Sequence, residues 1–442
     1  MKTFQKLTAV IGLIVALCIA FVGPFSTGMN LAAGGALFFC VSSLCSPLPL
    51  SILGANTGLT TLLPIIVQAL DVVSRELQGF IPGVNRDPKA DRLAKNQTLY
   101  SWVTPAIAIA DIAPGAATPT AADRALGNKS IAIDNFKASQ FYFTGEEEMQ
   151  LNQSGSYGGV ISDTIEQAIR ALTNQVDADI ALAAQVGASR AYGAVSTQPF
   201  ATNVAESAQM RKILDDNGAP LGTRSLVIDT TTGAALRTLA NLSKVNESGT
   251  NMTLRDGALL DLNGLVIRES AQVVTPTAGT MASATSTSAA FTVGQTVIPL
   301  ATAGTGVVAA GDIVTFANDT NKYVVASVSF AGANPASGDS ITLAAPGLRK
   351  AQGVATRAIT VIASSARMIA HSRNAILLAT RLPARPSGGD QATDVAVVTD
   401  ARSGMSIEVS MYPQYRQVLY EVAMAWGVRV IKPEHIGVLI GV

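Results

Sequence analysis

An α+β fold carrying an inserted all-β module is predicted by three features of the sequence. A helical pattern of about seven turns covers Gly158–Val186, with Ile161, Ile165, Ile169, Leu172, Val176 and Ile180 along one seam. Short helix and strand signals alternate over Met210–Arg268. From Val273 the composition shifts to Thr, Ala, Ser and Gly, and strand signals at hairpin spacing continue through Pro346. At 442 residues the chain is long enough for a large core and more than one domain.

Residues 1–54 carry Lys2 and Lys6 and no acidic residue. Leu7–Val22 is an uncharged apolar run behind a basic tip, as in a secretory signal, but no small-x-small cleavage pattern follows Val22. It is slightly short for a spanning helix. The second uncharged stretch, Leu31–Gly54, is broken by Ser42, Ser43, Pro47 and Pro49. Three readings stay open: upstream sequence joined to the true start of the body, a membrane or targeting segment, and an apolar arm packed on neighbouring subunits.

Thr60–Gln78 places Leu63, Ile66, Val67, Leu70, Val73 and Leu77 at helical steps, so an amphipathic helix is expected, ended by Gly79 and Pro82. Thr98–Val103 and Ile131–Phe143 read as strands around a loop-rich stretch, Thr104–Lys129. An extended hairpin of this kind cannot bury itself and calls for a neighbour. Trp102, Tyr142 and Phe143 are candidate anchors for such a contact, with core packing as the plainer role for each. Ser162 is positioned to cap the long helix. Strands are expected at Leu226–Thr230 and Leu265–Arg268 around a helix at Thr231–Leu242.

In the Thr/Ala/Ser-rich region the expected strands are Phe291–Leu300, Asp312–Phe316, Lys322–Phe330 and Ser340–Leu343, with Asn318–Asn321 as a tight turn. Together they read as a small barrel-like insertion, because the α+β pattern resumes beyond Arg357. A turn at Asp400–Gly404 joins two further strands. The closing segment Tyr415–Val442 is a strand rich in β-branched and aromatic residues, punctuated by Gly427 and Pro433, then a short apolar strand.

The chemistry-bearing residues are sparse. Basic and acidic residues balance at 31 each, which gives no support for a general nucleic-acid or membrane-surface binder. Charged residues make up 14 % and hydrophobic ones 48 %, a balance that suits a subunit hiding surface against copies of itself. Cys18, Cys40 and Cys45 are the only cysteines, so residues 55–442 hold no disulfide and no thiolate metal site. His371 and His435 are the only histidines; no Gly-x-Ser-x-Gly elbow accompanies them, and structural roles are expected. Glu146, Glu147 and Glu148 read as a solvated helix start rather than an acid–base pair. Thr302–Gly311 is Gly-rich but lacks the Lys-Ser/Thr ending of a phosphate loop. No catalytic, cofactor-binding or metal residue is nominated.

Four segments resemble the coat proteins of short-tailed phages of the Salmonella temperate type. They are Ala69-Leu-Asp-Val-Val-Ser-Arg-Glu-Leu-x-Gly-Phe-Ile-Pro82, Ala370–Pro383, Val397–Ser410, and the ending with its Trp426-Gly-Val turn and Pro433-Glu-His-Ile-Gly437-Val motif. Members of that family commonly begin near what is here Ala55–Pro64, which leaves residues 1–54 outside the resemblance.

The resemblance implies the tailed-phage major capsid fold of the Hong Kong phage type. Its parts map as an N-terminal arm and helix at 55–95, an extended loop hairpin at 96–135, and a peripheral domain with a spine helix at 136–205. The axial domain begins at 206–272, the inserted β domain fills 273–356, and 357–442 returns to the axial and peripheral domains. Trp426, Gly427, Pro433 and Gly437 would set the C-terminal sheet geometry, with Trp426 packed beneath it. The implied function is structural: a coat subunit forming hexamers and pentamers of an icosahedral head, with no enzyme activity. The implied partners are scaffolding and portal proteins and non-specifically packaged double-stranded DNA; a membrane enters only if residues 1–54 are a genuine segment. Its place would be the virion, after assembly in the host cytoplasm. An exported or membrane-anchored surface protein is the rival from another class.

Overall fold

The computed structural model describes residues 76–103, 127–243, 259, 261–400 and 403–442. The expected apolar N-terminal extension, most of the Thr60–Gln78 helix and the hairpin tip lie outside these residues. The described order begins with β1 (Asn85–Leu93), the hairpin strands β2 (Thr98–Val103) and β3 (Gly127–Ala132), and β4 (Asn135–Thr144). Helices α1 (Gly145–Ser154) and α2 (Tyr157–Val186) follow, then β5 (Arg190–Tyr192), α3 (Ala205–Asp216) and β6 (Arg224–Ile228). Next come α4 (Thr230–Thr238), α5 (Ala240–Ser243) and β7 (Val266–Glu269). Six short strands are β8 (Ala284–Thr285), β9 (Val297–Pro299), β10 (Ile313–Phe316), β11 (Lys322–Ser329), β12 (Ser340–Leu343) and β13 (Ala358–Val361). The chain returns through β14 (Arg367–Ser372), β15 (Ile376–Pro383), β16 (Asp394–Thr399), β17 (Ser406–Gln414), β18 (Gln417–Val430) and β19 (Ile436–Ile440). The fold is α+β.

The 30-residue α2 is about 45 Å long and buries Ile161, Ile165, Ile169, Leu172, Val176, Ile180 and Ala184 in one stripe. This stripe lies on β18 and β4 of the first sheet, whose order is β1-β15-β18-β17-β16. β18 is the long central strand: it pairs β17 over Gln417–Ala423, β15 over Ala425–Val430, and β4 over Gln417–Trp426. The helix starts at Tyr157, so Ser162 is not its cap; Ser162 sits buried inside the first turns. Gly187 ends it where a Cβ would stand 2.6 Å from Val430 Cγ2.

Residues Glu76–Gly79 have no regular structure and form a strap along α2, so the expected helix does not extend to Gln78. Arg170 Nε and Asn174 Nδ2 both donate to Glu76 Oε2, each at 2.6 Å, and Gln78 Nε2 donates to Thr173 Oγ1 at 2.8 Å. The backbone N–H groups of Phe80 and Ile81 donate to Asp177 Oδ1 at 3.1 and 2.9 Å. Side-chain acceptors on α2 thus serve the strap's backbone, which a helix would have satisfied internally.

A second sheet runs β7-β6-β14-β19-β5-β11-β10-β13-β8. Its central strands are buried on both faces. Val227, Ile369 and Val438 face the α2 core, whereas Leu226, Met368 and Leu439 face a second core with Met210, Ile213 and Leu214 of α3. Alternation by two residues sets this partition.

The strands β8-β13-β10-β11-β12-β9 follow one another in hydrogen-bonded order, and a bridge from Ser286 to Leu300 brings the last back to the first. The inserted module is therefore a small closed barrel with its own core of Ile298, Leu300, Val314, Phe316, Tyr323, Val325, Ile341 and Leu343. It stays joined to the body sheet by β11, which pairs β5 at Lys322–Ala191 and Tyr323–Arg190. Ile313 and Val324 turn the other way, into the α2 core. The chain enters and leaves the barrel side by side, with Arg367 N donating to Val274 O at 3.0 Å and Ala278 N to Ser364 Oγ at 2.9 Å.

Several expected elements divide. Ile131–Phe143 is two strands, because the buried Ile133 exchanges backbone hydrogen bonds with Asn96 and Gln97 and turns the chain between them. Phe291–Leu300 shrinks to β9 because Gly294, at φ +85°, makes a left-handed turn there. Thr231–Leu242 breaks into α4 and α5 at Leu239, which is extended.

Candidate assembly surface

The hairpin β2–β3 forms a two-stranded sheet of its own. One face of it is rooted: Ile131 is buried, Leu99 lies opposite it, and Leu99 packs with Ile133, Ala379 and Ala425 in a small core at the base. On the other face Tyr100 is 65 % and Trp102 71 % exposed, opposite Ser130 and Asn128. Two large aromatic side chains thus stand in solvent on a ribbon with one free face.

Tyr142, on the outer face of β4, is 57 % exposed and pairs across the sheet with Leu419. Phe143, one residue on, points to the opposite face. Its ring meets Phe141, Tyr157 and Tyr420 at centroid distances of 5.9, 6.1 and 6.3 Å, so it is a core contact and not an exposed anchor. Period-two alternation separates the two neighbours. The same alternation puts Tyr100 beside Trp102, a signal present in the sequence but not used there.

Beneath the first sheet, Trp426 is fully buried and its Nε1 donates to Asp179 Oδ2 of α2 at 2.9 Å. Lys137 Nζ lies 5.6 Å from the centre of its ring. Gly427 is held by close approach: a Cβ there would sit 2.2 Å from Ala132 O, at the base of the hairpin. Pro433 opens the short 3-10 turn Pro433–His435, where its fixed φ fits. At Gly437 a Cβ would meet Met210 Cε at 2.9 Å and Ile213 Cγ2 at 3.2 Å, so its bareness lets α3 close on β19.

The outer face also carries an ionic cluster that sequence reasoning did not find. Glu408 is buried yet pairs with Arg385 Nε at 2.8 Å and with Arg92 of β1. Arg381, buried on β15, donates to Asp87 Oδ2 at 2.6 Å and to Asp87 O at 2.6 Å, fastening β1 along its partner strand. The residues involved are far apart in sequence, so no local spacing announces them.

Chemistry-bearing groups do not converge. His371 is wholly buried beside Gly83, and burial pushes its pKa down to about 4. His435 is also lowered by burial. Glu147 belongs to a capping box with Thr144 that starts α1, its carboxylate accepting from Thr144 N at 2.9 Å. Among the described residues no group of three or more His, Cys, Asp or Glu is arranged to hold a metal, and no helix is long and apolar enough to cross a membrane.

No family model matches the sequence, and no curated protein sequence matches it. Similar solved structures do exist. One is the capsid structure of the cyanophage P-SCSP1u, 11 % identical, with TM-score 0.46, covering 83 % of this chain and 89 % of that one. A chain from Mycobacterium phage Che8 is 14 % identical, with TM-score 0.44 and coverage of 83 % and 93 %. A chain from the mature capsid of bacteriophage PhiM1 is 13 % identical, with TM-score 0.42 and coverage of 83 % and 88 %.

Proposed function

We propose that the chain is the major capsid protein of a tailed phage or prophage, with the Hong Kong phage-type fold. The observation that carries this reading is the β2–β3 ribbon. It presents Tyr100 and Trp102 to solvent and pairs with no other strand of its own chain among the described residues. A two-stranded ribbon is marginal in water, and exposed aromatic anchors on it are best accounted for by a neighbouring subunit. The resemblance of four sequence segments to short-tailed coat proteins supports the same reading. So do the long helix laid along a sheet, the second sheet, and the barrel inserted between β7 and β14.

In this reading the ribbon and β1 belong to an arm and loop that clasp neighbours. The first sheet with α2 is the peripheral domain, the second sheet with α3 the axial domain, and the barrel the inserted domain. Trp102 and Tyr142 are subunit-interface residues. Trp426, Gly427, Pro433 and Gly437 hold the C-terminal sheet that keeps these parts in register. Hexamers and pentamers would assemble with scaffolding and portal proteins in the host cytoplasm and enclose double-stranded DNA. The work is done by alternative subunit contacts rather than by an active site.

Electron microscopy of the chain, expressed with and without a candidate scaffolding protein, tests this. Closed shells of uniform diameter are expected. A discrete monomer or small oligomer at every concentration, with no shells or sheets, would overturn it.

A further inference from the structure

We draw no further inference here: the strongest candidate, the outer edge of β16 at the rim of the first sheet, which pairs only with β17 among the described residues and leaves Val395 and Val397 exposed, carries none because nothing in the structure shows what covers it.

Discussion

The indole N–H of Trp426, towards the C-terminal end of β18, is hydrogen-bonded at 2.9 Å to Asp179, in the seventh turn of α2. The bond adds a polar tie between α2 and β18 to the apolar stripe that seats the helix on the sheet. Asp179 is itself held by Gln175 Nε2 at 2.9 Å. Trp426→Phe keeps most of the ring but removes one of the donors to the Asp179 carboxylate. It should cost about 1.5–3 kcal/mol, measured by urea denaturation of unassembled protein followed by circular dichroism. Trp426→Ala should cost about 3–5 kcal/mol, through the cavity it leaves.

Two glycines should respond in opposite directions. A Cβ at Gly427 collides with Ala132 O, so Gly427→Ala should destabilise the chain by about 1–3 kcal/mol. Gly159, exposed in the first turn of α2, has nothing within 4 Å of an added Cβ, and Gly159→Ala should stabilise by about 0.5–1 kcal/mol. Melting curves of the two variants decide this; a Gly427→Ala variant as stable as the parent would count against the close approach seen there.

The strap Glu76–Ile81 is held by two carboxylates whose pH dependences have opposite signs. Hydrogen bonding from Arg170, then from Asn174, pulls Glu76 down to about 2, so its contribution is present above about 4.3 and lost as pH falls through about 2. Burial raises Asp177 above the usual carboxylate range. Its contribution is greatest below about 3.9 and is lost as pH rises through the folded value. Asp177→Asn lacks that titration, so the stability difference should shift in favour of the variant between about pH 3 and 7. Parallel pH–stability curves would show that Asp177 does not titrate this way. Asp177→Ala should cost roughly 1–3 kcal/mol for each of the N–H groups it orphans.

The chain has only two tryptophans, and they report on different things. In Trp426→Phe the remaining Trp102 should emit like a solvent-exposed indole and be readily quenched by iodide in the free subunit. Assembly should shift it to the blue and protect it. Trp102→Ser should change subunit stability by less than about 0.5 kcal/mol yet reduce shell yield severely, judged by sedimentation and microscopy. Normal shells from Trp102→Ser would remove this residue from the interface.

The elements with strong local periodicity were legible in the sequence. The α2 seam begins and ends within a residue of its expected bounds, and Ser340–Leu343 is the expected strand itself. Lys322 begins a strand as expected, and the turn before it has Asn318 in the left-handed region, at φ +68°. Where the reading failed, tertiary contacts had overridden local signals. Leu77 carries the helical pattern forward, but the backbone beyond it is drawn onto Asp177. Phe143 and Tyr142 look alike in sequence, and only the pairing of β4 with β18 decides which one faces the core. The Glu408–Arg92 and Arg381–Asp87 ion pairs join residues hundreds of positions apart, beyond any spacing rule.

The barrel leaves the body and returns to it at adjacent points, Val274 beside Arg367. Such a junction is a socket: what is plugged into it can change length or sequence while the two ends stay in place. One feature limits the exchange, because Ile313 and Val324 of the barrel fill the core at the end of α2. A replacement that joined the two ends but omitted these residues would leave the helix end bare to water. One that kept two apolar side chains there could carry a foreign domain on every copy of the chain.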